Sequence, residues 1–246
     1  MTVGWLQADW PAPDFIKAGT TLRQGGVSRG AYNSLNLASH VGDELSVVEE
    51  NRRILIQDMG VPNAPQWLEQ VHSTKAVLLP NKNVIPKADA SYTTEKNIVC
   101  AVMTADCLPL LITDQKGSCI AAIHAGWRGL CDGIIEETIE KLPVEVENLL
   151  VWLGPAIGAN VYEVGREVYD TFTRVDTDAK QAFTASSEGH WLFDIYHLAT
   201  LRLNRLGVKQ IFGGDHCTLS EKEKFYSYRR DDVTGRMASM IWIEED

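Results

Sequence analysis

The sequence predicts one mixed α/β domain, and three observations support this fold class. Strand-like and helix-like apolar segments alternate along the chain. No repeat with a solenoid period is present, and no Ser/Gly-rich linker divides the chain. The 246 residues, of which 45% are hydrophobic and 23% charged, are enough to bury a sizeable core. We therefore expect residues 1–246 to form a single domain, although the spacing does not determine the strand order.

The first predicted helix covers residues 46–59. Ser46 and Glu49 have the spacing of a capping box, in which each side chain bonds the other's main-chain N–H. Apolar residues recur on one face of the segment, and Gly60 follows it as a stop signal. These features together predict an amphipathic helix of about four turns.

Apolar runs in the centre of the chain predict short strands, and polar residues interrupt these runs. Residues 98–103 form an apolar run, which Thr104–Cys107 interrupts before the run resumes over 108–112. A turn at 114–117 leads to a strand over 118–123, which ends at His124. Polar residues in such runs need a reason other than packing.

The rest of the chain continues the alternation. The predicted elements are a helix over 129–142, a strand over 149–153, helices over 163–175 and 194–206, and strands over 208–212 and 237–243. Asp194 is a suitable N-cap for the last helix, and Gly207 a suitable stop.

Charge and cysteine usage exclude several classes of protein. A net charge of −10 argues against a general nucleic-acid binder, which needs a basic surface. No apolar run approaches the length of about 18 residues that spans a membrane, and the first residues do not resemble a signal peptide. The five cysteines are dispersed and odd in number, which favours reduced thiols. We expect a cytoplasmic protein that is a monomer or a weak homo-oligomer.

His72, Cys107 and His124 are the candidate metal ligands. Two imidazoles and a thiolate can bind one zinc ion and leave a fourth position open, as in catalytic zinc sites. The separations of 35 residues (72 to 107) and 17 residues (107 to 124) form no local motif. A buried histidine and an inert thiol would give the same pattern, so the residues alone leave both interpretations open. Asp106 and Asp89 are candidates for orienting the ligands or for proton transfer.

Candidate anion-binding residues lie beside these positions. Arg128 lies at the start of the helix predicted after His124, where helix N–H groups and a guanidinium favour an anion. Arg23 lies beside flexible residues, and Arg229 lies beside Tyr226; both segments could frame a nucleoside. An exposed loop with solvated charges would explain them equally well.

Several common catalytic and nucleotide-binding motifs are absent from the sequence or lack the context that they need. Residues 26–30 match G-x-S-x-G, but the residues that follow do not resemble the start of a helix. The sequence has no P-loop, no G-x-G-x-x-G, no H-E-x-x-H and no zinc-deaminase signature. A P-loop nucleotidase, a Rossmann dehydrogenase and a cytidine-deaminase-type enzyme are therefore disfavoured.

Several motifs together resemble one known family. They are Gln70-Val71-His72-Ser73, Ala88-Asp89-Ala90, Thr104-Ala105-Asp106-Cys107-Leu108-Pro109, His124-Ala125-Gly126-Trp127-Arg128-Gly129, Gly154-Pro155-Ala156-Ile157-Gly158, Tyr162-Glu163-Val164, Asp215 with Cys217-Thr218, Phe225-Tyr226-Ser227-Tyr228-Arg229-Arg230-Asp231 and Gly235-Arg236. In this order they resemble the YfiH-type proteins, also called laccase-domain or polyphenol oxidoreductases and now purine nucleoside phosphorylases. The resemblance covers about residues 20–243.

The resemblance implies a β-sandwich core flanked by helices in α-β-β-α layers, the fold of certain deamidating, cysteine-hydrolase-type toxins. It implies zinc on His72, Cys107 and His124. It also implies phosphorolysis of adenosine, inosine, guanosine and methylthioadenosine, and hydrolytic deamination of adenosine. We expect Cys107, His124, Asp106 and Arg128 to be catalytic, with Arg23, Arg128, Arg229 and Tyr226 binding substrate or phosphate. Asp106 and Glu163 are the candidates for acid–base roles.

Three alternatives stay open. The chain has six histidines, too few for a multicopper assembly, so an oxidase would have a single copper in place of zinc. A metal-free hydrolase would use Cys107 as nucleophile and His124 as base. In a non-enzymatic protein, zinc would only stabilise the fold.

Overall fold

A computed structural model describes residues 2–83 and 85–245. In these residues the strands are β1 (Trp5–Gln7), β2 (Ile16–Thr21), β3 (Ala76–Leu78), β4 (Ala90–Thr93), β5 (Cys100–Thr104), β6 (Leu108–Asp114), β7 (Ile120–Ala125), β8 (Leu149–Leu153), β9 (Glu163–Gly165), β10 (Phe183–Ser187), β11 (His190–Phe193), β12 (Gln210–Gly213) and β13 (Met237–Ile243). The α-helices are α1 (Leu45–Met59), α2 (Trp127–Asp132), α3 (Ile134–Ile139), α4 (Arg166–Val175), α5 (Ile195–Leu206) and α6 (Tyr228–Asp231). Three short 3₁₀ helices cover Gly30–Tyr32, Val146–Asn148 and Thr177–Ala182.

The described strands form three sheets. One has the order β1-β2-β13-β5 and is antiparallel throughout. The largest has the order β12-β8-β6-β7-β4-β3, with parallel pairs only at its two ends. The third, β10-β11-β9, is a small antiparallel sheet.

The four-stranded and six-stranded sheets pack face to face, and the alternation of side chains along each strand explains the layers. In β13, Ile241 and Ile243 lie between the two sheets, whereas Met240 and Trp242 lie on the outer face against α1. In β6, Leu111 faces the other sheet, and the residues on either side of it face the helices. Burial of each of these side chains contributes about 1.5–3 kcal/mol.

The layers therefore run α-β-β-α, which confirms the expected fold class. Helix α1 covers the four-stranded sheet, and α2 to α5 cover the six-stranded sheet. No helix among the described residues combines the length and the apolar character needed to cross a lipid bilayer.

Helix α1 confirms the first predicted helix, but the predicted capping box is wrong. The helix begins one residue earlier, after Glu44, which has no side-chain cap. The hydroxyl of Ser46 donates to the Glu44 carboxylate instead of capping the first turn. Gly60 ends the helix with φ +62°, as predicted.

Two other predicted helices differ from the structure. The segment 129–142 is broken at Gly133, whose φ of +101° separates α2 from α3. In the segment 163–175, the first three residues pair with β11 as strand β9, and the helix begins only at Arg166. Tertiary strand pairing prevails there over local helix propensity.

The other predicted strands and the last helix are present, and several of their bounds differ from the prediction by one or two residues. Strands β8 and β13 have the predicted bounds, and α5 begins after the N-cap Asp194, whose carboxylate accepts the N–H of His197. Gly207 ends α5 with φ +101°. The five cysteines are free thiols in the structure.

Candidate metal centre

Three separate segments bring His72, Cys107 and His124 together at one end of the sandwich. His72 lies in the loop before β3, Cys107 in the turn between β5 and β6, and His124 near the carboxyl end of β7. Their candidate ligand atoms all lie within 4.8 Å of one another, and Cys107 Sγ lies 3.8 Å from His72 Nε2. Among the described residues this is the one such group of His, Cys, Asp or Glu side chains.

Strand pairing positions two of the three ligands. The connection between β5 and β6 crosses from the four-stranded to the six-stranded sheet, and Cys107 is its last residue. β6 then pairs with β7 so that Pro109 lies opposite His124. The start of β6 and the end of β7 are therefore neighbours, which places the thiol beside the imidazole.

Asp89 positions the other side of the site. This fully buried carboxylate accepts a hydrogen bond from His124 Nδ1 at 2.9 Å. It also accepts the N–H groups of Val71, His72 and Ser73 and the hydroxyl of Ser73. Burial opposes its ionisation, but these donors hold its pKa at about 2. One carboxylate thus orients two candidate ligands.

His72 lies in a loop with φ +60°, a conformation that is uncommon for a residue with a β-carbon. Asp89 holds this loop through its three N–H groups, and both main-chain groups of Met103 bond the Gln70 side chain. These contacts stabilise a backbone conformation that the sequence pattern does not reveal.

The thiol and the imidazoles perturb each other's ionisation. Burial would raise the pKa of Cys107, but the neighbouring His124 and His72 lower it. Burial would lower the pKa of His124, but Cys107 and Asp89 raise it. In the metal-free chain this favours a thiolate beside an imidazolium.

Asp106, the residue before Cys107, connects the turn that carries the thiol to the segment around residues 218–229. Its φ is +93°, and its carboxylate accepts from the hydroxyls of Thr218 and Ser227 and from the N–H of Arg229. The carboxylate is occupied by these donors and does not line the cavity described below. The structure therefore gives Asp106 a place in holding the turn that presents Cys107.

A cavity of about 330 Å³ opens beside the three ligands. It is lined by His40, Gln70, His72, Met103, Thr104, Ala105, Cys107, His124, Arg128, Tyr228 and Arg236. No Asp or Glu of the described residues is among them. Gly126 leaves room for this arrangement, because a Cβ there would lie 2.6 Å from His72 Cδ2.

Of the expected anion-binding residues, only Arg128 lines this cavity. The guanidinium of Arg23 donates to the carbonyls of Asn33 and Lys222 and lines a separate, larger cavity of about 610 Å³. Arg229 donates to the carbonyl of Glu163. These side chains satisfy main-chain carbonyls instead of facing the ligand group.

Tyr226 and Glu163 also lie away from the cavity. Tyr226 is fully buried, and its hydroxyl donates to the carbonyl of Tyr32. The exposed Glu163 accepts a hydrogen bond from Ser186. Neither side chain is placed to contact a ligand bound beside His72, Cys107 and His124.

Sequence reasoning from the residues missed seven of the eleven lining side chains. They are His40, Gln70, Met103, Thr104, Ala105, Tyr228 and Arg236. Five of them belong to motifs that carry the family resemblance, so the motifs pointed to the right segments. The direction of each side chain depends on the backbone, which the motifs do not give.

The donor set fits a metal ion. Two imidazoles and a thiolate are ligands of Zn²⁺ and of copper, and Asp89 gives His124 the carboxylate partner that metal-bound histidines usually have. The ligands also face a cavity, which leaves access from one side. The group could therefore bind a metal ion with an open coordination position.

Comparisons with known proteins show the family of this chain. Residues 17–244 match the family model described as multi-copper polyphenol oxidoreductase laccase. A purine nucleoside phosphorylase of Haemophilus influenzae is 51% identical over 97% of this chain and 99% of its own length. The purine nucleoside phosphorylase YfiH of Escherichia coli is 51% identical over 95% of this chain and 96% of its own length.

Solved structures give the same result. A Neisseria meningitidis protein of the DUF152 family superposes with a TM-score of 0.94 at 47% identity, covering 98% of this chain and all of that one. YlmD of Geobacillus stearothermophilus superposes with a TM-score of 0.88 at 29% identity, covering 98% and 97%. The chain belongs to the laccase-domain family that includes the YfiH purine nucleoside phosphorylases.

Proposed function

We propose that this chain is a zinc-dependent purine nucleoside phosphorylase that acts at the cavity beside His72, Cys107 and His124. The observation that carries the proposal is this ligand group at the wall of a cavity, in a chain 51% identical to relatives named purine nucleoside phosphorylase. The expected substrates are adenosine, inosine, guanosine and methylthioadenosine. The presence of all three ligands favours a bound metal over an unliganded thiol.

The chemistry needs an anion site next to a nucleoside. In phosphorolysis a phosphate oxygen forms a bond to C1′ of the ribose while the bond from C1′ to the purine nitrogen breaks. Zinc, when bound, supplies a Lewis acid that polarises an oxygen of the reactants. Arg128 binds phosphate, because its guanidinium lines the cavity and forms no ion pair with the described residues.

The exposed ring of Tyr228 is the candidate surface for the purine. Its side chain lines the same cavity as the ligand group, and the residue is 54% exposed. A flat, partly exposed aromatic ring can stack on a purine while the ribose points towards the ligands. We expect Tyr228 to affect the binding of the nucleoside more than that of phosphate.

Hydrolytic deamination of adenosine remains a proposed second activity. A carboxylate that shuttles the proton to the leaving amine is one requirement of our expected mechanism. Since no carboxylate of the described residues lines the cavity, the side chains present favour phosphorolysis over deamination.

We also propose that the site prefers zinc, although copper suits the same donors. We further propose that the chain works in the cytoplasm as a monomer or a weak homo-oligomer.

The test is product analysis with zinc-loaded protein and adenosine, with and without inorganic phosphate. Phosphorolysis gives adenine and ribose 1-phosphate only when phosphate is present, whereas deamination gives inosine without it. Cys107→Ser should remove both activities. Cys131→Ser is the matched control, because a serine there can still donate to the carbonyl of Thr171. If the zinc-loaded protein forms none of these products, the proposed function is wrong.

A Cys–His hydrolase is the second candidate, and one observation favours it. Asp89, His124 and Cys107 follow one another in the order of a carboxylate–imidazole–thiol triad. Chelation separates the two functions. It should abolish phosphorolysis by the zinc enzyme, whereas a metal-free thiol hydrolase would keep its activity.

A further inference from the structure

We propose that Arg236, Arg128 and the hydroxyl of Thr104 form the binding site for the phosphate co-substrate, on the cavity wall next to the His–Cys–His group. This inference rests on the proposed phosphorolysis, and it assigns residues that replace the expected Arg23 and Arg229. The site would take a tetrahedral oxyanion, with inorganic phosphate as its ligand.

The first argument is charge. The chain has a net charge of −10, yet this cavity is lined by two arginines and by no carboxylate of the described residues. The partly buried Arg202 and Arg230, by contrast, form ion pairs with Glu136 and Asp231. Neither Arg128 nor Arg236 forms such a pair within residues 2–83 and 85–245. Two unpaired guanidinium groups facing one cavity create a site for an anion.

The second argument is that Arg236 is held in place. Its Nη1 donates to the carbonyls of Thr234 and Gly235, at 2.8 Å and 3.0 Å. Its Nε and Nη2 make no hydrogen bond to the described part of the chain. One edge of the guanidinium is thus anchored and the other is available. Binding an anion there costs little side-chain entropy, because the side chain is already ordered.

The third argument is the hydroxyl of Thr104. This oxygen is buried, and it has no hydrogen-bond partner in the described structure. Thr104 lies at the end of β5, on the same face as Cys100 and Val102, whose side chains point between the two sheets. Thr104 also lines the cavity beside the His–Cys–His group. A buried hydroxyl without a partner is destabilising unless a ligand supplies one, and a phosphate oxygen would do so.

His40 also lines the cavity, and its side chain adds no charge near pH 7. Burial lowers its pKa, and the positive charges of Arg236 and Arg52 lower it further. His40 is therefore neutral near pH 7 and can donate or accept one hydrogen bond. Outside the His–Cys–His group, the positive charge of the cavity wall therefore comes from Arg128 and Arg236.

The experiment is calorimetric titration of inorganic phosphate into the full chain, both metal-free and zinc-loaded. Arg236→Gln should weaken phosphate binding by about tenfold or more, since it removes a charged hydrogen-bond donor. Thr104→Val should weaken it by about three- to tenfold. Arg174→Gln is the matched control, because Arg174 is 78% exposed and does not line the cavity. Unchanged phosphate affinity in both Arg236→Gln and Thr104→Val would overturn the proposal.

Two variants separate binding from folding. Thr104→Val removes a buried hydroxyl that has no partner, so its melting temperature should equal or exceed that of the wild type while its phosphate affinity falls. Arg236→Lys keeps the charge but loses the guanidinium fork, and it should recover part of the affinity that Arg236→Gln loses. A lower melting temperature in Thr104→Val, with no loss of phosphate affinity, would show that the hydroxyl is structural.

Kinetics and a second ligand identify the source of the anion. In phosphorolysis, both Arg236→Gln and Thr104→Val should raise KM for phosphate and leave KM for the nucleoside within about threefold. Adenosine monophosphate replaces inorganic phosphate in a parallel titration. If the variants lose affinity for the nucleotide alone, the site holds a nucleotide phosphate and the proposal is wrong. If the wild type forms no ribose 1-phosphate, the proposed function fails, and the phosphate titration still decides whether these residues bind the anion.

Discussion

His124 Nδ1 lies 2.9 Å from Oδ1 of Asp89, and this contact determines which ring nitrogen of His124 is available to a metal. With Nδ1 donating to the carboxylate, Nε2 carries the free lone pair. The same carboxylate accepts the N–H of His72. Asp89 therefore couples the orientation of one imidazole to the position of the other, although it is not itself a ligand.

Asp89→Asn should weaken zinc binding by about 10- to 100-fold, the usual effect of removing a carboxylate behind a metal-bound histidine. The amide keeps the size of the side chain but loses the charge that stabilises the His124 tautomer. Competition with a chromophoric chelator measures the affinity. Asp9→Asn is the control, since Asp9 is exposed. Equal zinc affinity in Asp89→Asn and wild type would contradict this role.

Gly126→Ala should disrupt the metal centre while the fold stays intact. A Cβ there would lie 2.6 Å from His72 Cδ2 and 3.1 Å from Cys107 Sγ, so the two ligands would have to separate. The backbone itself tolerates alanine, because φ is −68°. We expect zinc affinity to fall by about tenfold or more, since metal sites tolerate little displacement of their ligands. The chelator competition and far-UV circular dichroism measure the two effects.

Gly165→Ala is the matched control for Gly126→Ala. Gly165 also precedes a helix and has φ −84°, and a Cβ there meets no atom within 4 Å. Its zinc affinity and secondary structure should equal those of the wild type. If the two alanine variants bind zinc equally well, the close approach at Gly126 is not what positions the ligands.

The sequence was sufficient to predict strands β8 and β13 and both ends of helix α5. β8 and β13 are fully buried over their whole length, and such strands are recognisable as continuous apolar runs. β2 was missed because its residues Ile16–Thr21 include Lys17, Gly19 and two threonines, a composition that gives no strand signal. Pairing with β1 and β13 on its two sides makes it a strand.

The ligand group could be predicted, but its surroundings could not. Segments separated by 35 and 17 residues meet only through the fold, and the family motifs supplied that information. Within one motif, Tyr226 is fully buried and Tyr228 is 54% exposed. Two residues of the same type, two positions apart, thus differ completely in exposure, because helix α6 begins at Tyr228, after the N-cap Ser227.

Cys107 should be the thiol that reacts fastest with iodoacetamide in the metal-free chain. It is half-buried, and after the cost of burial is included, His124 and His72 still lower its pKa. Burial raises the pKa of both Cys100 and Cys119 to about 12, so these thiols should stay unmodified at pH 7. Mass spectrometry of the alkylated peptides gives the order of reaction.

Zinc should protect Cys107 from this alkylation, because a metal-bound thiolate is a weaker nucleophile. Cys131, whose pKa is raised by burial, should react at the same slow rate with and without zinc. Equal alkylation of Cys107 in the zinc-loaded and metal-free chains would show that its sulfur does not bind the ion. That outcome would favour the Cys–His hydrolase over the zinc enzyme.

Tyr228→Ala should raise KM for the nucleoside by about 5- to 100-fold, the effect expected from losing one aromatic stacking surface worth about 1–3 kcal/mol. KM for phosphate should stay within about threefold, because the ring carries no charge that a phosphate needs. Tyr228→Phe keeps the ring, so its nucleoside KM should be close to that of the wild type. Steady-state phosphorolysis with each substrate varied in turn measures both constants. A hydroxyl contact to the substrate would instead make Tyr228→Phe as defective as Tyr228→Ala, and stacking would then be excluded as the main interaction of this side chain.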